Sequence, residues 1–407
     1  MTNQPVPSSS APRLYYLDTL RVIAILLVFL FHAVHPFDLN IWHVKNIEQS
    51  TTLTIILVIL WMFGMPFFFM IAGSGSWFAL RRRTPKQYAV ERTKRLLVPF
   101  IFFTILSFFI YQYFEWGDRV YRGLVTLSFP EYLMATRDWY MTLGFSPLWL
   151  TLGGHLWFLG FLYFFAILAL PVFIWLKSTS GVRFTNWLAR ICSLRGGLLV
   201  FLIPLLLLRY LLTPLWPLEH DWSDFIYQGA YFVLGFLLFS HEAVLKAVRR
   251  DGLLLGGIGL VAVLFMMTLY LLGYDVEGWG EAYGQPGFYL VIGIITLVGL
   301  TWSLMILSIG MRYWDKDWAW VRYSQEIALP FFIVHQPVIL FIASYVVKWD
   351  TGIPIKMLVT AVSSFFISWG LVEFIIKRVG FLRFLFGMTS SRSSSKKVEA
   401  SQPMPAG

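Results

Sequence analysis

The sequence predicts an all-α, polytopic membrane protein with about ten transmembrane helices and both termini in the cytoplasm. Of the 407 residues, 58% are hydrophobic and only 13% are charged, whereas about a quarter of the residues in a soluble domain are charged. The mean hydropathy is +0.68. Ten apolar stretches have lengths that suit or approach a membrane-spanning helix. They are 17–37, 52–72, 96–114, 153–176, 198–217, 225–240, 253–273, 287–310, 324–347 and 355–376.

The distribution of basic residues predicts the orientation of these stretches. The alternate connections and tails hold 24 Lys and Arg residues on one side and 6 on the other, while Arg21 and Arg209 fall inside stretches. Because short loops rich in Lys and Arg stay in the cytoplasm, we expect the side with 24 to be cytoplasmic. No small-residue cleavage site follows the first stretch, which is therefore expected to be retained as a membrane helix. A multi-pass protein of the bacterial inner membrane fits this pattern.

The chain divides into one membrane domain and two short tails. Residues 1–12 and 389–407 are rich in Ser and Pro and are expected to be disordered cytoplasmic tails. Residues 13–388 then form the transmembrane domain. Cys192 is the one cysteine of the chain, so neither an internal disulfide nor a cysteine metal cluster can form. The net charge of +10 follows the membrane topology, and no nucleic-acid partner is expected.

The first apolar stretch carries ionisable residues near both ends. In LDTLRVIAILLVFLFH, Arg21 and His32 are eleven residues apart, which places them on one helix face, roughly 16 Å apart along the axis. Asp18 precedes Arg21 by one turn, a spacing that permits an ion pair. Ionisable side chains in a membrane helix are costly and are therefore functional candidates. The alternative is a snorkelling arginine with a histidine at the helix end.

Further histidines fall near the predicted outer face. His155 opens the fourth stretch close to Trp157, His335 and Gln336 lie within the ninth stretch, and His43 lies in an outer loop. Imidazoles exchange protons near neutral pH and suit general acid–base catalysis. Each histidine could instead be a hydrogen-bonded packing residue. Spacings such as HExxH are absent from the sequence, so no metal ion is expected.

The longest outer loop, at about 115–152, is rich in Trp, Tyr and Phe. These aromatic residues could form an interfacial belt or a platform for sugar rings, and belts are the commoner case. His35, His220 and His241 lie in or near loops, and we expect them to be solvated.

A predicted cytoplasmic loop carries a cluster of cations. Residues 81–95 include seven Lys and Arg residues, of which Arg92 and Arg95 are three apart and share a helix face. Arginine clusters bind phosphates through forked donors, so these two residues are candidate ligands of a phosphate-bearing donor. Topology and anionic lipid account better for residues 81–83. The donor's reactive end would then reach toward His32, while an acceptor arrives from outside near His155.

Several motifs match a known family at this point. The stretch LDTLRVIAILLVFLFH resembles the opening signature of the acyltransferase 3 membrane family, in which an arginine precedes a catalytic histidine by eleven residues. The family's second basic motif resembles Arg92, Arg95 and the following Pro99. Other stretches are similar to one branch, the glucan-modifying C proteins that succinylate osmoregulated periplasmic glucans. They are IWHVKN, FFFMIAG, GHLWFL, PFFIVHQP and LRFLFG.

The resemblance implies an integral-membrane O-acyltransferase. An acyl group, succinyl in the glucan branch, would pass from cytoplasmic acyl-CoA to a carbohydrate hydroxyl outside. By this likeness His32 is the general base or acyl carrier, and Arg21, Arg92 and Arg95 hold the donor. Acyl-CoA is then a substrate, and no permanently bound cofactor is expected. The expected partners are membrane lipid, acyl-CoA and the carbohydrate acceptor; self-association and assembly with glycan-synthesis proteins stay open.

Two other functions are compatible with the sequence. A transporter that moves a glycan or an acyl donor without chemistry fits the ten stretches and the prolines of the ninth. Transporters of this kind are commonly built from two related halves, and no internal repeat is visible here. A non-catalytic partner in a glycan-synthesis complex is the second alternative.

Overall fold

The computed structural model describes residues 14–388, and in this part the chain is helical with no β-strand. The predicted all-α class is thereby confirmed, while the predicted tails 1–12 and 389–407 lie outside the described residues. The α-helices are α1 (Tyr15–Val34), α2 (Thr51–Leu80), α3 (Pro85–Arg92), α4 (Val98–Tyr121), α5 (Phe129–Thr142), α6 (Trp157–Leu168), α7 (Leu170–Leu176), α8 (Thr179–Ser193), α9 (Leu202–Leu212), α10 (Trp222–Ser240), α11 (Glu242–Leu271), α12 (Val276–Glu281), α13 (Pro286–Tyr313), α14 (Ala319–Val346), α15 (Ile353–Gly370) and α16 (Gly380–Leu385).

Shorter helical segments join several of these helices. Three are 3-10 helices, and two are π-helical turns that continue a neighbouring α-helix. The 3-10 helices are His35–Phe37, Pro147–Leu156 and Gly197–Phe201, and the π-helical turns are Thr93–Leu97 and Leu371–Ile376.

Eight helical stretches of the described part are long and apolar enough to cross a membrane. They coincide with eight of the ten predicted stretches. The other two predicted stretches fall on the shorter apolar helix Gly197–Leu212 and on α10. The structure therefore confirms a polytopic helical protein, while the number ten and the cytoplasmic termini stay predictions. The eight are Tyr15–Phe37, Thr51–Leu80, Pro85–Tyr121, Pro147–Leu168, Glu242–Leu271, Pro286–Tyr313, Ala319–Val346 and Ile353–Ile376.

The predicted fourth stretch, 153–176, is not one continuous helix. The 3-10 helix Pro147–Leu156 leads into α6, and a break at Ala169 separates α6 from α7. Pro171 stands at the start of α7, where its missing N–H costs no helical hydrogen bond. Gly154 adopts φ +57° and ψ −130°, a conformation open in practice only to glycine. The backbone changes direction at this kink, so His155 does not continue the helical turn that precedes it.

The helices pack in pairs around α1. Helix α11 lies along α13, α10 along α2, and α14 along α15, while α1 contacts α2, α13, α14 and α15. Helices α2 and α10 approach each other closely where Gly73 and Gly235 each face the backbone of the opposite helix. Small residues permit such close contact between membrane helices. Gly75, near the end of α2, lies beside the Arg21 guanidinium, so α1 and α2 are antiparallel.

The loop after α1 is held by two buried lysines, Lys45 and Lys356, which are among the six cations on the predicted outer side. Lys45 Nζ donates to the Asp38 carboxylate at 2.6 Å and to the carbonyl of His35 at 2.6 Å. Lys356 Nζ donates to Asn46 Oδ1 at 2.9 Å. Burial by itself would raise the pKa of Asp38, but the neighbouring His35 and Lys45 outweigh it and hold that pKa below its usual value. These contacts fix the loop above the C-terminal end of α1.

Candidate active site

Three imidazoles that are far apart in the chain converge at one point inside the helical bundle. His32 lies near the end of α1, His155 in the 3-10 helix before α6, and His335 in the middle of α14. The ring centroids are 5.4 Å apart for His32 and His335, 6.0 Å for His32 and His155, and 4.7 Å for His155 and His335. The structure thus brings together three of the predicted site histidines.

A chain of hydrogen bonds runs through two of these rings. The Tyr111 hydroxyl lies 2.8 Å from His155 Nδ1, and His155 Nε2 lies 2.6 Å from the carbonyl oxygen of Phe332. The same carbonyl oxygen lies 2.7 Å from His335 Nδ1. A carbonyl can only accept, so both ring nitrogens next to it must carry hydrogen. In the neutral ring, Nδ1 of His155 then carries no hydrogen and accepts a hydrogen bond from the Tyr111 hydroxyl.

An indole ring covers the cluster on the side of the loop after α1. Trp42 is stacked nearly parallel to His32 and His35, with centroids 6.4 Å and 5.6 Å away. The expectation that His35 is solvated is wrong, because its side chain is 12% exposed and its Nδ1 lies 3.0 Å from Asp38 Oδ2. His32 keeps partial exposure, although its Nδ1 is buried. Trp42 therefore restrains both imidazoles.

His43 joins the same cluster from the loop. Its ring stacks on Tyr111 at 5.1 Å, and its Nδ1 lies 2.7 Å from Glu115 Oε2. The other Glu115 oxygen accepts hydrogen bonds from Arg119 at 2.6 Å and from Tyr132 at 2.9 Å. His43 is therefore held by a polar network that borders the three imidazoles.

Two predicted substrate ligands have other surroundings. The Trp157 ring packs against His220 at 4.1 Å and Phe161 at 5.0 Å, on the side of α10 and away from His32. His220 is thus not the solvated residue that the sequence suggested. Gln336 is 2% exposed, and its amide oxygen has no partner within the described residues.

The predicted ion pair of α1 is present. Arg21 donates to Asp18 at 3.2 Å, and 37% of the Arg21 side chain is exposed. Since α1 is continuous from Tyr15 to Val34, Arg21 and His32 keep the axial separation of roughly 16 Å. The cation and the imidazole therefore stand at opposite ends of one helix face.

A cavity of about 880 Å³ lies on the Arg21 side of the bundle. It is lined by the cluster of cations before α4 and by the C-terminal segment. Arg95 lines this cavity, whereas Arg92 instead lies over the Tyr88 ring at 5.0 Å. Of the two predicted phosphate ligands, only Arg95 is among the residues that line this cavity. The lining residues are Arg83, Lys86, Gln87, Val90, Glu91, Lys94, Arg95, Gly380, Arg383, Phe384, Gly387 and Met388.

The local backbone explains how Arg95 reaches the cavity. Pro99 lacks an N–H and cannot bond the Arg95 carbonyl four residues earlier, and the chain widens into the π-helical turn Thr93–Leu97. Gly387, at φ +66°, approaches the same carbonyl closely. The C-terminal segment therefore packs directly against this turn.

A smaller, mostly apolar groove of about 220 Å³ lies between α1, α14 and α15. It begins beside Arg21, at Val22, and reaches Phe331, whose ring is stacked with that of His335 at 6.1 Å. The groove thus extends along α1 and α14 as far as Phe331, which contacts His335. The other lining residues are Ile25, Leu26, Tyr323, Ser324, Ile327, Ala328, Phe365, Phe366 and Trp369.

Comparison with known families matches residues 14–373 to an acyltransferase domain, that of the acyltransferase 3 family. The chain belongs to the acyltransferase 3 family. This acyltransferase is also similar to proteins called glucans biosynthesis protein C from Salmonella paratyphi B and Salmonella enteritidis. Each is 28% identical over 399 residues, which cover 93% of this chain and 96% of the relative. No solved structure matches the chain.

The family assignment and the apolar helices make this protein a membrane acyltransferase. The sequence predicts His32, His155, His335 and His43 as site residues, and the structure places them together. The sequence does not indicate the parts played by Trp42, Tyr111, the Phe332 carbonyl, or Arg383 of the basic cavity. The aromatic residues carry no motif of their own, and a backbone carbonyl leaves no trace in a sequence.

Proposed function

We propose that this acyltransferase moves an acyl group from cytoplasmic acyl-CoA to a carbohydrate hydroxyl on the extracytoplasmic side of the bacterial inner membrane. The observation that carries the proposal is the convergence of His32 with two further imidazoles, at the opposite end of α1 from Arg21. The relatives named for glucan biosynthesis favour a periplasmic glucan as acceptor. We propose succinyl as the acyl group because of the same similarity to the glucan-modifying proteins.

In the proposed reaction, His32 acts as a general base. Its unprotonated ring nitrogen takes the proton of the sugar hydroxyl while the oxygen attacks the thioester carbonyl. The C–S bond breaks, and the coenzyme A thiolate leaves and recovers the proton from the imidazolium. In the second form, His32 attacks the thioester itself and carries the acyl group before the hydroxyl takes it. Both forms give one ester and one thiol.

The donor route in this proposal uses both cavities. The phosphates of coenzyme A would bind among the cations of the 880 Å³ cavity, because guanidinium groups recognise phosphate bidentately. The thioester end would then pass Arg21 along the groove beside α1 toward Phe331. The acceptor would approach from the side of Trp42 and His43.

Acylated glycan provides the direct test of this function. The purified protein is placed in liposomes with acyl-CoA on one side of the membrane and a glucan on the other. It should then produce glucan with ester-linked acyl groups, which mass spectrometry detects. Succinyl-CoA, acetyl-CoA and a donor-free control identify the acyl group. Movement of glucan or acyl-CoA across the membrane without ester formation would support the transporter instead.

The proposed topology predicts the reactivity of engineered cysteines in intact cells. Arg82 lies in the loop before α3 and Leu124 in the loop after α4, and both are exposed. A membrane-impermeant maleimide should label Leu124→Cys without lysis and Arg82→Cys only after lysis, because residues 81–95 are expected inside. Cys192 is fully buried and should stay silent. Labelling of Arg82→Cys before lysis would refute this orientation.

The donor site predicts a loss of acyl-CoA affinity when its arginines are removed. Arg95→Ala and Arg383→Ala should each weaken binding tenfold to a hundredfold, since a charged hydrogen bond contributes about 1.5–3 kcal/mol. Arg92→Ala should weaken binding less, because its guanidinium lies over Tyr88. Lysine at position 95 should restore the affinity only in part, since lysine lacks the fork. Calorimetry with a non-reactive acyl-CoA analogue measures these affinities.

Two controls separate this site from lipid binding. Lys246→Ala removes an exposed cation that pairs with Glu242 away from the cavity, and the affinity should not change. Nanodiscs of neutral lipid should retain acyl-CoA binding if coenzyme A is the ligand. If Arg95→Ala and the wild type bound acyl-CoA with equal affinity, the cations of this cavity would instead set the membrane orientation or bind anionic lipid.

A further inference from the structure

We infer that His335 is a positioning residue for His32. The Nε2 of His335 accepts a hydrogen bond from Nδ1–H of His32, and this bond keeps the Nε2 of His32 unprotonated and ready to act as the base. The inference rests on the proposed function of His32. It gives His335 a role other than the substrate contact that the sequence suggested.

The carbonyl of Phe332 fixes the protonation pattern of His335. Its oxygen lies 2.7 Å from His335 Nδ1, so Nδ1 carries the hydrogen of the neutral ring. His335 Nε2 is then left with a lone pair and can only accept. His335 is 1% exposed, and the acceptor therefore has to find its donor inside the protein or in a bound substrate.

The matching donor is present in the neighbouring ring. Within the described residues, His32 Nδ1 and His335 Nε2 are both buried and both without a hydrogen-bond partner. Their ring centroids are 5.4 Å apart. Two imidazoles joined by an N–H···N bond of about 2.9 Å have centroids roughly 5 Å apart. In the structure the two nitrogens are not bonded to each other, but the rings are close enough for such a bond to form once Nδ1 of His32 turns toward His335.

The other imidazoles of the cluster lie against partners of their own, and His43 is paired with Glu115. Both nitrogens of His155 are engaged, by Tyr111 and by the Phe332 carbonyl. The Nδ1 of His35 faces Asp38. Trp42 stacks on His32 with an interplanar angle of 15° and covers one face of its ring. The arrangement follows the general rule that a third group orients the catalytic base.

Activity assays with two variants of position 335 test the role. His335→Leu removes the acceptor and should lower kcat for acyl transfer on the order of 10–100-fold, by analogy with groups that orient metal-binding imidazoles. The KM for acyl-CoA should not change. His335→Gln keeps a polar acceptor of similar reach and should recover most of kcat. Ile339→Ala, one turn further along α14 and fully buried, controls for a packing defect.

Nitrogen-15 spectra of histidine-labelled protein in liposomes provide a readout that does not depend on activity. The signals of His32, assigned by their loss in His32→Ala, should show hydrogen on Nδ1 in the wild type and in His335→Gln. In His335→Leu they should shift toward the other tautomer. Hydrogen on Nε2 in the wild type, or an unchanged tautomer and kcat in His335→Leu, would overturn the inference. A His335-dependent tautomer in a protein that transfers no acyl group would uphold the contact and reject the proposed function.

Discussion

Replacing His32 with alanine should abolish glycan acylation while the protein still inserts and binds acyl-CoA. His32 is the imidazole of the cluster that shares a helix face with Arg21 and is not tied to the Phe332 carbonyl. A positioned general base contributes on the order of 10²–10⁴-fold to a rate, and an acyl carrier is indispensable. We therefore expect less than about 1% of the wild-type rate, measured by mass spectrometry of the glycan at matched membrane levels.

Comparison with the other histidines decides whether His32 is the reacting group. His155→Ala and His335→Ala should lower the rate and leave residual transfer, because these rings orient the site. His241→Ala serves as the control, since this histidine caps α11 through its Nδ1 away from the cluster. Substantial transfer by His32→Ala, with loss in either of the other two variants, would move the active site to α14 or to the 3-10 helix before α6.

A single-substrate experiment on the wild-type protein distinguishes whether His32 is an acyl carrier or a general base. Incubation with acyl-CoA and no acceptor leaves a carrier acylated, and digestion with mass spectrometry then finds the acyl group on the peptide that contains His32. A base leaves that peptide unmodified. In both cases, acyl-CoA binding to His32→Ala should match that of the wild type, because the basic cavity lies at the other end of α1.

Helix α1 was predictable because its information is local. The eleven-residue spacing of Arg21 and His32 and the three-residue spacing of Asp18 and Arg21 define positions on one helix, and the structure keeps both relations. The all-α class followed from composition for a similar reason, since a membrane-spanning segment must satisfy its own backbone hydrogen bonds.

The partners of the histidines were not predictable from the sequence. His155 bonds Tyr111 and the Phe332 carbonyl, and these contacts depend on how three separate helices are arranged. Hydropathy likewise predicted a continuous fourth stretch, because it registers neither the positive φ of Gly154 nor the break at Ala169. Lys45 was counted as a loop cation, although it is 4% exposed and bound to Asp38, because a count of charges carries no information on burial.

Gly154→Ala should disrupt the histidine cluster. The φ of +57° costs a residue with a side chain about 1–3 kcal/mol. An added Cβ would also overlap the Tyr111 ring, and overpacking of this kind adds about 1–3 kcal/mol. Tyr111 would have to move, and its bond to His155 would break. We expect a lower melting temperature in detergent and loss of acyl transfer.

Gly144→Ala is the matched control, because Gly144 has nearly the same φ of +59° and nothing within 4 Å of an added Cβ. Gly144→Ala should lose only the stability that a side chain costs at a positive φ, and it should keep its acyl-transfer activity. The difference between the two variants therefore reports the clash with Tyr111 together with any further strain from the ψ of −130° at Gly154. Equal melting temperatures and equal acyl transfer for the two variants would show that the Tyr111 ring can move without cost. The hydrogen bond from Tyr111 to His155 would then have no part in holding the histidine cluster together.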